Sequence, residues 1–267
     1  MPVISLSASV GKGGANKAAD VTQVKDRLAG LGFDWITTET GVGPLTITAI
    51  QLFQAIKNGF QTVDRPQNDG LVEPGGLTLA WLNAINAPRW IEMPAGSPAE
   101  GYVNFERADL VDNHDFGVSW LADTLAGAGR AYLATHLSTH PGAALMRVND
   151  ASRPRGGKTK DHATHQTGLC CDLLLPRTDG KALPTEFTSP KYDRAAARAM
   201  ILALLAQPLA LRVLFNDPVL VGERLCTEVD GHHNHMHYDI QPPPRQAAVV
   251  VSAALSLTRT PAKRKRR

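Results

Sequence analysis

Apolar positions in the first third of the chain recur every three or four residues. Val21, Val24, Leu28 and Leu31 lie at helical spacing behind Asp20, a residue type that caps helix starts, and Gly32 follows as a stop. A second helix is predicted after Gly41-Val-Gly-Pro44, with Ile47, Ile50, Phe53 and Ile56 on its buried face and Asn58-Gly59 at its end. A third, short helix over 77–85 follows a turn-rich stretch and adds Leu79 and Leu82 to the same core. Three short helices around one small core are expected for residues 1–86.

The pattern then changes. Residues 87–101 hold three prolines and no periodicity, which predicts a linker and a domain boundary. Beyond it, helical spacing returns over 118–137, and 168–176 is a short apolar run closed by proline that suits a buried strand. Residues 193–205 are rich in Ala, Arg, Leu and Met and predict a helix capped by Asp193. Strands are predicted at 212–215 and 235–240. In the latter, alternation puts His235, His237 and Asp239 on one face and Met236, Tyr238 and Ile240 on the other. The expected fold class is α+β: a small N-terminal three-helix domain, then a catalytic domain over 102–258 with a mostly antiparallel sheet flanked by helices, then a basic tail at 259–267.

Composition narrows the classes. Hydrophobic residues make up 43% of the 267, enough for an ordinary core, and no apolar run reaches the roughly 20 residues that a bilayer-spanning helix needs. The net charge is +3, yet the tail carries six Lys/Arg and no acid, so the rest of the chain is net acidic and is not expected to bind nucleic acid. The first ten residues lack a basic n-region and an apolar h-region, which predicts a chain made without a secretory leader. Three cysteines, Cys170, Cys171 and Cys226, are too few for a disulfide framework; one bridge from Cys226 to Cys170 or Cys171 and buried free thiols are both compatible with the sequence.

The chemistry concentrates in two segments. Six of the nine histidines lie in His162-Ala-Thr-His165-Gln-Thr-Gly168-Leu-Cys-Cys-Asp172 and His232-His-Asn-His235-Met-His237. His165, Asp172 and His237 would supply two imidazoles and a carboxylate to zinc, and three protein ligands leave a fourth tetrahedral position for water. Gly168 would let the backbone turn tightly into the strand bearing Asp172. A closed structural site that recruits His235 or a cysteine as fourth ligand stays open as an alternative, as does a metal-storage or sensing patch.

Two resemblances sharpen this reading. Gly-Pro-Leu-Thr-Ile-Thr-Ala-Ile-Gln-Leu-Phe-Gln (43–54) and Asp-Gly-Leu-Val-Glu-Pro-Gly-Gly-Leu-Thr (69–78) resemble the helical peptidoglycan-binding domain. Leu-Met-Arg-Val-Asn-Asp-Ala-Ser-Arg-Pro-Arg-Gly-Gly (145–157), with the two histidine segments at 162–172 and 232–237, resembles the penicillin-insensitive murein endopeptidases, zinc peptidases related to the D-Ala-D-Ala metallopeptidases. The similarity runs over most of 100–242. It implies His165, Asp172 and His237 as zinc ligands and His162, His232 and His235 as further active-site histidines. The chain departs from that family in having Cys170-Cys171 where Asp-Val is common before the aspartate ligand. Where related enzymes often have a Glu or Asp three residues before the last His, it has Asn234, which cannot act as a base.

A neighbouring histidine must then move the proton. His235 is the expected base, with His232 and His162 orienting water or stabilising the oxyanion, or else fixing a ligand by hydrogen bonds. Arg153 and Arg155, in a basic glycine-containing loop, are candidates for binding the free carboxylates of stem peptides. The expected function is zinc-dependent hydrolysis of peptidoglycan cross-links between D-Ala and meso-diaminopimelate. Stem-peptide carboxypeptidase or L-Ala-D-Glu peptidase activity, or non-catalytic wall binding with a structural metal, are the alternatives. A leaderless chain acting on the wall of a target bacterium, in its periplasm, implies release by phage lysis or injection by a secretion apparatus, the latter paired with an immunity protein.

Overall fold

The computed structural model describes residues 3–108, 113–160 and 162–248. The tail expected at 259–267 and the end of the 102–258 segment lie outside the described residues.

Helix α1 spans Ala18–Gly30, and Lys17, in extended conformation, occupies its N-cap. Asp20, expected as the cap, sits instead within the first turn, where its side chain faces the incoming N-terminal segment. Its buried carboxylate accepts hydrogen bonds from the backbone N–H groups of Ser7 and Ala8, both at 3.0 Å, and from the Ser7 hydroxyl at 2.8 Å. Gly32 ends the helix as expected: its φ is +94°, and the N–H groups of Gly32 and Phe33 donate to the carbonyls of Ala29 and Leu28. Helix α2, Pro44–Asn58, has proline in its first turn and left-handed Gly59 after its last. Its buried face carries Ile50, Phe53 and Ile56, while Ile47 stays half-buried. Helix α3, Leu77–Leu82, stops three residues before the expected end, where the Asn83 side chain exchanges two hydrogen bonds with the backbone of Ile4. An unexpected two-stranded ribbon, Val10–Gly11 (β1) against Leu71–Val72 (β2), closes this helical unit.

Residues 87–101 are not wholly irregular. They carry β3, Trp90–Glu92, paired antiparallel with β6, Phe116–Val118, and β4, Gly96–Ser97. A six-stranded sheet follows, in the order β4, β5 (Tyr102–Asn104), β7 (Met146–Val148), β8 (Cys170–Leu174), β10 (His235–Ile240) and β9 (Ala210–Leu214). Its neighbouring pairs are antiparallel except β5 with β7. Helix α4, Ser119–Tyr132, continues through a π turn at Leu133–Leu137 and packs against α5, Arg194–Leu205, whose cap is the Asp193 side chain. A short helix α6, Pro218–Gly222, precedes the last strand. The fold is mixed α+β with a mostly antiparallel sheet.

One face of β10 points toward α5: Met236, Tyr238 and Ile240 are buried, and the Tyr238 hydroxyl donates to the Leu204 carbonyl at 3.1 Å. The other face, with His235, His237 and Asp239, floors the site, as the alternation predicts.

Candidate metal centre

Strands β8 and β10 pair so that Asp172 and His237 are direct cross-strand partners, which places both side chains on one face. His165 arrives from the loop before β8 with φ +59°, a left-handed conformation uncommon for a residue with a Cβ. The loop then turns at Gly168, φ +64°, where a Cβ would lie 2.5 Å from the Cα of Gly117. Only glycine permits this approach of the loop to β6.

The three side chains converge. His165 Nε2 lies 3.0 Å from His237 Nδ1 and 3.3 Å from Asp172 Oδ1, and His237 Nδ1 lies 2.9 Å from the same oxygen. Tetrahedral ligands at zinc distances are about 3.3 Å apart. The opposite ring nitrogens are already committed. His165 Nδ1 donates to the Ala151 carbonyl at 2.8 Å, and His237 Nε2 donates to Asp239 Oδ1 at 3.0 Å. In neutral rings the two nitrogens that face each other are therefore lone pairs, aimed with a carboxylate oxygen at one point. Two lone pairs and an anion aimed at one point form a donor set that fits a divalent cation such as zinc, with Asp239 and the Ala151 carbonyl as outer groups that fix the ring orientations. Asp239 is itself held by Arg212 Nε at 2.6 Å.

The electrostatics agree. Burial alone would raise the Asp172 carboxyl, but the His165 and His237 rings that face it, when protonated on that side, outweigh burial and hold the group well below the usual carboxylate range. Burial likewise opposes charge on His237, yet carboxylates at both of its nitrogens push it strongly upward. The pocket therefore stabilises positive charge at this point, carried either by a proton on His237 Nδ1 or by a metal ion that takes the proton's place.

The remaining histidines form an outer ring. His235 Nε2 lies 3.7 Å from Asp172 Oδ2, while its Nδ1 donates to the side-chain oxygen of Asn234 at 2.8 Å. Asn234 thus fixes a tautomer whose free lone pair faces the site. Burial lowers the His235 pKa, Asp172 opposes this, and neighbouring histidines add to the lowering, so the ring is neutral at pH 7. His162 places Nδ1 3.9 Å from Asp172 Oδ2 and Nε2 3.2 Å from Asp150 Oδ2. His232 is more peripheral: its Nδ1 contacts the carbonyls of Val229 and Asp230, and its ring lies 4.9 Å from that of His235.

Arg153 binds the carbonyl of Lys158 within its own loop. Arg155 lines a separate groove of about 630 Å³ with Trp35, Trp90, Glu92 and Phe116. The three cysteines are free thiols. Cys170 is buried, and its sulfur forms a group with nitrogens of His165 and His237 in which all donor atoms lie within 4.8 Å of one another.

Sequence reasoning missed the supporting groups. Asp239 was legible as part of the alternating face, but its bond to Arg212 depends on the pairing of β9 with β10. Asp150 lies within the 145–157 segment that carries the resemblance but is not marked there as a donor, and His114, which joins it and His162 in a further cluster, carried no local signal. No protein-family model matches this chain, and no curated protein matches it either.

Proposed function

We propose that the protein is a zinc-dependent peptidoglycan endopeptidase that hydrolyses peptide cross-links, D-Ala to meso-diaminopimelate, in the wall of a target bacterium. The observation that carries this reading is the convergence of His165 Nε2, Asp172 Oδ1 and His237 Nδ1 within 3.3 Å, with His235 Nε2 turned toward the same carboxylate. A zinc ion bound by His165, Asp172 and His237 would supply Lewis acidity toward a scissile carbonyl and toward an attacking water. His235, neutral and fixed by Asn234, takes the proton from that water and returns it to the leaving amine. His162 lies on the other side of Asp172, with Nδ1 3.9 Å from Oδ2. The helical unit at the N-terminus raises the local concentration on peptidoglycan, which is the function its resemblance implies.

The test is mass spectrometry of soluble fragments released when purified, zinc-loaded protein digests intact sacculi, with His165→Ala in parallel. Monomeric muropeptides in place of cross-linked dimers, absent from the variant, are expected. Shortened stem peptides in unbroken cross-links would instead indicate a carboxypeptidase or an L-Ala-D-Glu peptidase.

Cys170 favours a second reading, a closed structural site in a wall-binding protein, because its sulfur lies among the same donors. Cys170→Ala separates the two: an enzyme keeps zinc and releases fragments, whereas a structural site loses zinc and no fragments appear with either protein.

A further inference from the structure

We propose that His114, Asp150 and His162 form a second divalent-cation site, of zinc type, beside the first. The donor set repeats that of the first centre, two imidazoles and one carboxylate. One donor atom from each residue falls in a group within 4.8 Å, and the individual separations bracket those of zinc ligands: His162 Nε2 lies 3.2 Å from Asp150 Oδ2, and His114 Nδ1 lies 3.8 Å from Asp150 Oδ1. The two rings stand edge to face at 5.6 Å, one on each oxygen of the carboxylate.

The backbone holds this arrangement firmly. The Asp172 N–H donates to the Asp150 carbonyl at 2.7 Å, and the Asn149 N–H donates to the Asp172 carbonyl at 2.8 Å, so the two carboxylates are neighbours across the β7–β8 edge. His114 is buried; its N–H donates to Glu106 Oε1 and its carbonyl accepts from the Ala151 N–H at 2.7 Å. Ala151 also carries the carbonyl that orients His165, so one short segment supports both donor sets. Among the described residues the ion-pair partners of Asp150 are histidines, with no lysine or arginine. Asp239, by contrast, is neutralised by Arg212. His162 lies between the two centres, Nε2 toward Asp150 and Nδ1 toward Asp172. A cation on Nε2 leaves the proton on Nδ1, on the side of Asp172 Oδ2, 3.9 Å away, so His162 couples the two centres by charge.

This site is independent of hydrolysis, and its test reads metal, not activity. The full-length protein is dialysed to equilibrium against Zn2+ and its content measured by elemental analysis, with a Co2+ titration followed by visible absorption. About two ions per chain are expected for the wild type, falling to about one in His114→Ala and in the near-isosteric Asp150→Asn. His165→Ala, which empties the first centre, also falls to about one. Removing the outlying His232 and His233 together leaves about two. Wild type saturating at about one overturns the proposal, and so does a full wild-type content in both His114→Ala and Asp150→Asn. A loss of the second ion in the His232/His233 variant overturns it too, because that ion is then on the outer histidines. If instead two ions are bound and sacculi release no fragments, the endopeptidase reading fails while this site stands.

Discussion

Asp239 controls His237 without touching the position a metal would take. Its carboxylate fixes the ring so that Nδ1 points inward, and Arg212 holds the carboxylate in turn. Asp239→Asn keeps the shape but loses the charge, and zinc affinity should fall about 10- to 100-fold in competition with a chromophoric chelator. An unchanged affinity would mean that the strand alone fixes the ring. Gly168 acts on geometry in the same way. An added Cβ would meet Gly117 Cα at 2.5 Å and the Trp90 ring at 3.0 Å, in a left-handed conformation that itself costs an L-residue about 1–2 kcal/mol. Gly168→Ala should therefore destabilise by more than about 2 kcal/mol in urea unfolding and lower zinc affinity as well, since the loop carries His165. The ligand types and the turn at Gly168 were legible because each depends on a short stretch of chain. Asp150 and His114 were not legible as donors: Asp150 is one position among thirteen in the 145–157 segment, His114 stands apart from every motif, and only the pairing of β7 with β8 brings Asp150 beside Asp172.

Helix α2 shows how an element can be legible while its anchor is not. Pro44 and Gly59 mark its two ends in the sequence, but the group that satisfies its first turn is Glu39, directly after the 3-10 turn Asp34–Thr38. The Glu39 carboxylate accepts from the N–H groups of Gly43, Leu45 and Thr46 and from the Thr46 hydroxyl. Partial desolvation pushes the Glu39 pKa upward, but the bonds from Thr46, Leu45 and Gly43 prevail and hold it below its ordinary 4.5. The folded state thus favours the charged carboxylate. Its contribution is fully present above pH 4.5 and is lost as pH falls below that value through the depressed folded-state pKa. Glu39→Gln should cost about 1 kcal/mol at pH 7, and the gap from the wild type should shrink as the pH drops below 4.5; equal stabilities at pH 7 would show that the cap contributes nothing. The ribbon of β1 with β2 and the pairing of β3 with β6 escaped the sequence for a different reason. Strands of two or three residues show no periodicity, and their partners lie tens of residues away.

At the scale of the molecule, the proline-rich stretch at 87–101 read as a boundary, because proline and the loss of pattern are what linkers show in sequence. In the fold it carries buried Trp90 into the aromatic cluster of the helical unit, with its ring 6.2 Å from Phe33 and its N–H donating to the Leu31 carbonyl. The Trp90 indole N–H donates to the Pro154 carbonyl at 2.8 Å, on the loop that precedes the metal centre. A second aromatic pair, Trp81 with Trp120 at 5.7 Å, joins the last helix of the first unit to α4, and the Val63 N–H donates to Gln166, next to His165. Apolar contact is therefore continuous from the helical unit to the sheet, and the two should unfold together. In the metal-loaded protein, tryptophan fluorescence and far-ultraviolet circular dichroism should give one coincident transition in urea. Trp90→Ala should shift both probes equally, by about 3–5 kcal/mol, because it empties a site that both units share. Two separated transitions, with Trp90→Ala moving only one, would mean that the helical unit folds by itself and is merely tethered to the sheet. The His165 loop would then draw its rigidity from β6 and β8 alone, and deletion of residues 1–86 would leave zinc affinity unchanged; in the continuous fold that deletion should weaken it.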